Sequence, residues 1–233
     1  MNTRNGALAV LAAAVACAAP ATAAATPTKV NVRIEGKSKT IFEGTITTDI
    51  HTVDGGDGTG PHKCDGTNGG AGTVPGPTAT SAMDDAVRGV GKSWAGSYDS
   101  SFDDFIVNRI GPDASSSSQF WGVAVQGKSL QVGGCQQVVT KGQEVLWAYD
   151  LFGKKLLHAS GPRKVRAGKP ASIKVVDTEK GKPVAGARIG GEKTNAKGIA
   201  TLRFKKPGTR RLKARAPKSI RSNRLTVKVL KAK

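Results

Sequence analysis

The sequence predicts an α+β domain followed by an all-β sandwich, and three observations support this division. Before residue 150, one stretch repeats apolar residues at helical spacing, between segments that alternate with period two. Beyond residue 162, helical periodicity is absent, and short alternating segments are separated by turn signals every roughly 8–12 residues. The net charge changes at the same place, from −3 over residues 1–150 to +22 over residues 151–233. We therefore expect a domain boundary near residues 151–166.

The first 25 residues are typical of a secretory signal peptide. Arg4 precedes an apolar run over residues 7–19, which is shorter than the roughly 20 residues that a transmembrane helix needs. Small residues follow at 21–25, as at export cleavage sites. We expect a protein that is secreted or held at the cell surface. Cys17 leaves a lipid anchor as an alternative, although Ala14 stands where lipoprotein signals usually have Leu.

The overall composition excludes several classes of protein. The 233 residues carry 36 Lys and Arg against 17 Asp and Glu, a formal net charge of +19, and 38% of them are hydrophobic. A multi-span membrane protein, a coiled coil and a collagen-like chain are excluded by these values and by the absence of the corresponding repeats. The composition does not identify a ligand.

The α+β domain begins with a predicted hairpin. Residues 30–34 place Val and Ile between polar residues, and residues 41–48 form a second β-rich run. Gly36 opens the turn between them. Residues 54–77 hold many Gly, Asp, Pro and Thr and few apolar side chains, which predicts a long loop pinned at Cys64.

A helix is predicted immediately after Pro77. Thr78 is a good N-cap, and Gly89 and Gly91 end the helix. Helical spacing defines an apolar face and a polar face. The apolar face comprises Ala79, Ala82, Met83, Ala86, Val87 and Val90, and the polar face comprises Asp84, Asp85 and Arg88.

Cys64 and Cys135 are predicted to form a disulfide. They are the two cysteines that remain after the signal peptide, and an exported chain meets an oxidising compartment. The chain-entropy model assigns about 4 kcal/mol to a closed loop of this length. A metal or catalytic thiol is the less favoured alternative, because no Cys-x-x-Cys pair is present.

Three further strands are predicted at residues 104–110, 120–125 and 144–149, so the order of elements is β-β-α-β-β-β, typical of a β-grasp-like domain. Four segments of this half are distinctive: VNVRIEG (30–36), IFEG (41–44), WGVAVQG (121–127) and GQEVLWAY (142–149). They resemble the DUF4430 family, which is similar to the C-terminal β-domain of transcobalamin and intrinsic factor. The resemblance covers residues 29–152. It implies a carrier of cobalamin or another small molecule as an alternative function, although this sequence lacks the large helical domain of the vitamin carriers.

Three segments of residues 163–233 are distinctive: GKPVAGARI (181–189), TNAKGIATL (194–202) and SNRLTVKV (222–229). With them, this half resembles bacterial immunoglobulin-like domains of the invasin and carboxypeptidase-regulatory type. The full fold prediction is thus an α+β β-grasp-like domain followed by an all-β immunoglobulin-like sandwich. Such modules often act as spacers, so the resemblance predicts a fold and not an activity.

The basic charge of the second half suggests binding to a polyanion. In an exported protein the expected partner is an anionic cell-wall polymer or a surface protein, and no motif for specific nucleic-acid recognition is present. A solvated surface without a partner is the alternative. The candidate residues alternate with apolar ones and are expected on outward faces: Lys174, Arg203, Lys205, Lys213, Arg215 and Lys228.

Aromatic residues cluster in the first half and suggest a platform for a flat ligand or a sugar. Trp147 and Tyr149 share one strand face, because they are two residues apart, and Trp121 stands on another strand. The alternative is that these three side chains form the core of a small domain.

No catalytic or metal-binding constellation emerges, and no cofactor is expected. His51 and His62 flank a loop with several Asp residues, but the spacing matches no zinc or calcium pattern. Ser93 lacks the Gly of a nucleophile elbow two residues later. We therefore expect a non-enzymatic binding protein of the cell envelope, with a secreted hydrolase using His51 or His62 as a further alternative. The sequence does not indicate an oligomeric state.

Overall fold

The computed structural model of this chain describes residues 26–232 and is mostly β, with 44% of residues in strands and a single α-helix in that range. The predicted signal peptide and Cys17 lie outside the described residues. The elements of the first half are β1 (Thr28–Glu35), β2 (Thr40–Thr48), α1 (Ala79–Arg88), β3 (Trp94–Asp99), β4 (Asp104–Ile110), β5 (Asp113–Ala114), β6 (Trp121–Val125), β7 (Lys128–Ser129) and β8 (Glu144–Tyr149).

The main sheet of the first half has the strand order β2-β1-β8-β6-β7. β1 and β2 form the predicted antiparallel hairpin, with Val32 opposite Gly44. β8 runs parallel to β1 on the side opposite β2, and Val145 of β8 pairs with Val32 of β1. β6 then pairs with β8 in antiparallel orientation. The first and last strands of this half are therefore neighbours at the centre of the sheet.

Helix α1 packs across this sheet and begins where the sequence predicts. The Thr78 hydroxyl accepts from the Ser81 backbone N–H, and the Ser81 hydroxyl accepts from the Thr78 backbone N–H, which forms a capping box. Two details of the predicted faces are wrong. Asp84 is 4% exposed, because the helix surface that carries it is covered by neighbouring side chains, and Val90 is 44% exposed, because the helix ends at Arg88.

The long loop over residues 54–77 is fastened at several points. The disulfide between Cys64 and Cys135 is confirmed, with an S–S distance of 2.02 Å. The side-chain amide of Asn68, which is fully buried, donates to the backbone oxygens of Lys63 and Asp103. The loop is thereby attached to the small sheet of β3, β4 and β5.

The strands of the second half form two larger sheets that share one core, together with a small two-stranded sheet. Its elements are β9 (Lys155–Ser160), β10 (Lys164–Arg166), β11 (Pro170–Asp177), β12 (Lys182–Pro183), β13 (Arg188–Ile189), β14 (Glu192–Lys193), β15 (Ile199–Arg203), β16 (Gly208–Leu212), β17 (Ser219–Ile220) and β18 (Leu225–Leu230). One sheet has the order β12-β11-β9-β17, with β15 also paired to β11, and the other has the order β10-β18-β16. Side chains of both, among them Ile173 and Val227, share one apolar core.

The stretch where the sequence predicts a boundary contains strand β9. β9 pairs with β11 and β17, so the second half begins at Lys155, before the predicted start at residue 163. An apolar cluster crosses between the halves and includes Leu146 of β8, Leu156 of β9 and Ile220 of β17. The two halves are therefore joined by a buried interface.

Candidate functional site

The three candidate aromatic residues lie in the core of the first half. Trp121, Trp147 and Tyr149 are between 3% and 6% exposed. The indole N–H of Trp147 donates to the backbone oxygen of Ala79 at 3.0 Å and so ties helix α1 to β8. The rings of Trp121 and Tyr149 meet edge to face at 5.8 Å. The structure corresponds to the core alternative, since these residues form no exposed platform.

His51 lies beside two acidic residues of helix α1, Asp84 and Asp85, a grouping that could in principle hold a metal ion. Its Nε2 is 3.4 Å from Asp84, and its Nδ1 is 3.1 Å from the backbone oxygen of Asp49. Asp84 also accepts hydrogen bonds from Arg88 Nε and Trp94 Nε1. Because the Arg88 guanidinium already neutralises Asp84, we interpret the cluster as a structural ion pair.

The electrostatics of this cluster agree with that interpretation. The hydrogen bond to Asp84 raises the pKa of His51. Burial opposes ionisation of Asp84, yet the hydrogen bonds from His51, Trp94 and Arg88 leave its pKa lowered. Burial raises the pKa of Asp85. Both ring nitrogens of His51 face oxygen atoms of the protein, so neither is aimed at a hydroxyl nucleophile.

His62 and the loop carboxylates have local structural partners. The His62 ring stacks on Tyr98 with centroids 3.5 Å apart, and its Nε2 lies 2.8 Å from the Thr59 hydroxyl. Asp57 accepts hydrogen bonds from Thr59 and from the Tyr98 backbone, and these hold its pKa at about 2. The loop carboxylates therefore stabilise turns.

The six candidate basic residues do not form one patch. Lys174 and Arg203 lie on the outward face of the sheet that contains β11, and Lys228 lies on the outward face of the opposite sheet. Lys205 and Arg215 are exposed elsewhere on the second half.

Lys213 differs from its predicted outward position. Its Nζ contacts the carboxylates of Glu35 and Glu43, both in the first half, the latter at 2.9 Å. Alternation predicts that the Lys213 side chain points away from the core of the second half, and this is so. The first half covers that side, so Lys213 is not free to meet a polyanion.

A more coherent basic surface lies on the sheet of β10, β18 and β16. Alternation turns Val165, Val227 and Val229 towards the core. Their neighbours point outward, and cross-strand pairing places Lys164 beside Lys228 and Arg211 beside Thr226. These three strands, which the structure describes in full, contain no Asp or Glu. We call this surface the cationic face, and its charged residues are Lys164, Arg166, Arg211 and Lys228.

The sequence interpretation identified one of these four, Lys228. The other three could have been found from the same alternation, because Lys164 and Arg166 flank Val165, and Arg211 precedes the apolar Leu212. Pairing between strands far apart in the chain then brings them together, and that pairing is not visible in the sequence.

A groove of about 340 Å³, lined entirely by residues of the second half, adjoins the cationic face at Thr226 of β18. We call it the basic groove; its charged side chains are Arg163 and Arg224, and polar side chains come from His158, Ser160, Asn223 and Thr226. Asn223 exchanges two hydrogen bonds with the backbone of Ala159, which fixes one wall. The Arg224 backbone N–H donates to Glu43 of the first half.

Buried ion pairs join the two halves, and Glu35 of the first half is their centre. Glu35 is 2% exposed and receives Arg221 Nε at 2.7 Å. Within the first half, the buried Arg33 of β1 pairs with Glu144 of β8 at 2.8 Å. The same Arg33 guanidinium donates through Nη1 to the backbone oxygen of Arg221, in the second half, at 2.5 Å. The acidic groups at the interface are thus neutralised by partners already in the protein.

Compared with known protein families, curated proteins and solved structures, the chain has no match. The resemblances to DUF4430 and to immunoglobulin-like domains therefore stay predictions. Across residues 26–232, no helix has both the length and the apolar character to cross a bilayer.

Proposed function

We propose that this chain is an exported, non-enzymatic binding protein of the cell envelope, and that its second half binds an anionic wall polymer. The observation that carries the proposal is the cationic face, where Lys164, Arg166, Arg211 and Lys228 project from adjacent strands that contain no carboxylate. Like charges placed on one rigid sheet repel one another, and a bound polyanion relieves that repulsion.

The few acidic residues of the second half do little to neutralise this face. Residues 151–233 contain three of them. Asp177 is buried and accepts the backbone N–H of Leu156, and Glu179 accepts from Ser129 of the first half. Glu192 lies on β14, which belongs to neither large sheet. None of these three side chains lies on the strands of the cationic face, so the second half does not neutralise it.

We further propose a β-grasp-like fold for the first half and an immunoglobulin-like sandwich for the second. The central parallel pair of β1 and β8, with α1 packed across the sheet, supports the former. Two larger sheets that share one core support the latter. In this proposal the first half serves as the module that meets a surface protein or other ligand.

The test compares two variants of equal net charge in binding to isolated cell walls across a salt series. The first replaces the four residues of the cationic face with Gln, and the matched control replaces Lys174, Arg203, Lys205 and Arg215, which are exposed elsewhere. We expect the first variant to lose most of the salt-sensitive binding and the control to keep most of it. Equal losses of binding in the two variants would mean that binding depends on net charge and not on the cationic face. Absence of binding by the wild type would overturn the proposal.

A small-molecule carrier is the second candidate, and one observation favours it. Phe102, Ile106 and Val132 are between 47% and 64% exposed and line a shallow groove of about 220 Å³. This is below the roughly 300–1,000 Å³ of typical ligand pockets. Visible absorbance retained after incubation of the purified protein with cobalamin and gel filtration would support the carrier.

A further inference from the structure

We propose that the basic groove binds the phosphate groups of a phosphodiester-linked polyol, as a continuation of the cationic face. This inference rests on the proposed function and adds the chemical class of the polymer and the site that recognises it. The face would supply attraction at long range, and the groove would supply contacts that depend on the geometry of the anion.

The groove and the cationic face form one surface. Thr226 lines the groove and stands on β18 two residues before Lys228, on the same side of the strand. Lys164 follows Arg163 directly, and the Lys228 backbone N–H donates to the Arg163 oxygen at 2.8 Å. A polymer bound across β10 and β18 would therefore reach the two arginines of the groove.

The two arginines retain donors for a ligand. The Arg163 side chain makes no hydrogen bond or ion pair to any described residue. Arg224 uses Nη2 on the backbone oxygen of Glu43 at 2.9 Å, which orients its guanidinium and leaves Nε and Nη1 without a partner in the described chain. A guanidinium presents its N–H groups as a planar fork that matches two oxygens of one phosphate.

Acidic groups nearby do not compete for these donors. The lining of the basic groove includes no carboxylate. The wider cleft next to it includes Glu43 and Glu144. Glu43 pairs with Lys213 and Glu144 pairs with Arg33, each within 3 Å. The charge that faces the groove is therefore positive.

The groove lining and the strands of the cationic face contain no Phe, Tyr or Trp, which favours a polyol phosphate over single-stranded nucleic acid. Proteins that bind single strands stack bases on aromatic side chains. Between residues 153 and 232, Phe204 is the sole Phe, Tyr or Trp, and it packs against the core of the sandwich. The surface therefore offers charge and hydrogen-bond donors but no Phe, Tyr or Trp on which a base could stack.

The experiment measures affinities of the full chain for three probes at matched charge: poly(glycerol phosphate), polygalacturonate and single-stranded DNA. The groove variant is Arg163→Gln with Arg224→Gln, and the matched control is Lys193→Gln with Lys197→Gln, two exposed positions outside the groove. We expect the groove variant to bind poly(glycerol phosphate) about tenfold more weakly, since a charge-assisted contact is lost at two positions. The control and the polygalacturonate affinities should change by less than about twofold.

Arg163→Lys separates the geometry of the anion contact from charge. It keeps the charge but removes the planar fork, so a several-fold loss is expected for poly(glycerol phosphate). Equal weakening of both anionic polymers, or no weakening by the groove variant, would overturn the groove inference while the cationic face still binds. Tighter binding of DNA than of the polyol phosphate would overturn the choice of ligand. No binding of any probe by the wild type would instead remove the proposed function.

Discussion

Arg221 of the second half reaches into the first half and places its Nε 2.7 Å from a carboxylate oxygen of Glu35, a side chain with 2% exposure. Lys213 contacts the other oxygen of the same carboxylate. Charged groups taken out of water depend on such pairing, because an unpaired buried charge is costly. The interface is therefore specified by charge as well as by the apolar cluster around Leu156.

Removing the central carboxylate should destabilise the protein. Glu35→Gln leaves two cations without their shared partner, and we expect the free energy of unfolding to fall by about 3 kcal/mol, as for other buried pairs broken on one side. Chemical denaturation measures this. Glu192→Gln, at an exposed position on β14, is the control and should change stability by less than about 0.5 kcal/mol. A fall below about 1 kcal/mol for Glu35→Gln would argue against an essential pair.

The buried interface also predicts that the halves unfold together. All three tryptophans lie in the first half, so their fluorescence reports on that half. Ile173→Ala removes a fully buried side chain from the second core and should cost about 2–5 kcal/mol. We expect the tryptophan transition to shift by the same amount. A tryptophan transition that stays where it is in the wild type would mean that the halves unfold independently.

The stability provided by His51 should depend on pH. Its pKa is raised in the folded protein by Asp84, so its contribution is fully present below the unfolded pKa of about 6.5 and is lost as the pH rises through the folded value. The substitution His51→Gln removes this pH-dependent contribution to stability. The difference in unfolding free energy between wild type and variant should therefore be larger near pH 6 than near pH 9. A difference independent of pH would contradict the assigned ion pair.

The disulfide should contribute strongly to the stability of the first half. Replacing Cys64 and Cys135 together with Ala is expected to lower stability by about 4 kcal/mol, because the bond closes a long loop. Differential scanning calorimetry with and without reductant provides the measurement. The double variant should be insensitive to reductant, whereas the wild type should approach the variant when reduced. Equal melting temperatures for oxidised and reduced wild type would contradict this contribution.

Local features of the fold could be predicted because each has a signal within a few residues. The hairpin follows from alternation, and the helix start follows from Thr78 after Pro77. Strand β9 was missed since Leu156 and Leu157 are adjacent and both buried, one at the interface and one in the core, which breaks the period of two. Strand β3 was missed because Gly96 and the polar residues after it are typical of a turn.

The sequence predicts that the candidate site is basic, but it does not predict which residues form it. A basic second half is evident from composition, but which cations share a surface depends on pairing between β10, β16 and β18. Lys213 illustrates the limit. Alternation identifies the side of a strand on which a residue lies, and it does not identify what covers that side.

The separation of charge between the two joined halves makes the protein a large electric dipole. With −3 over residues 1–150 and +22 over residues 151–233, a negatively charged layer attracts one end and exerts little pull on the other. A protein approaching such a layer would turn so that its second half leads. The first half would then stand away from the layer, facing whatever approaches from the surrounding medium.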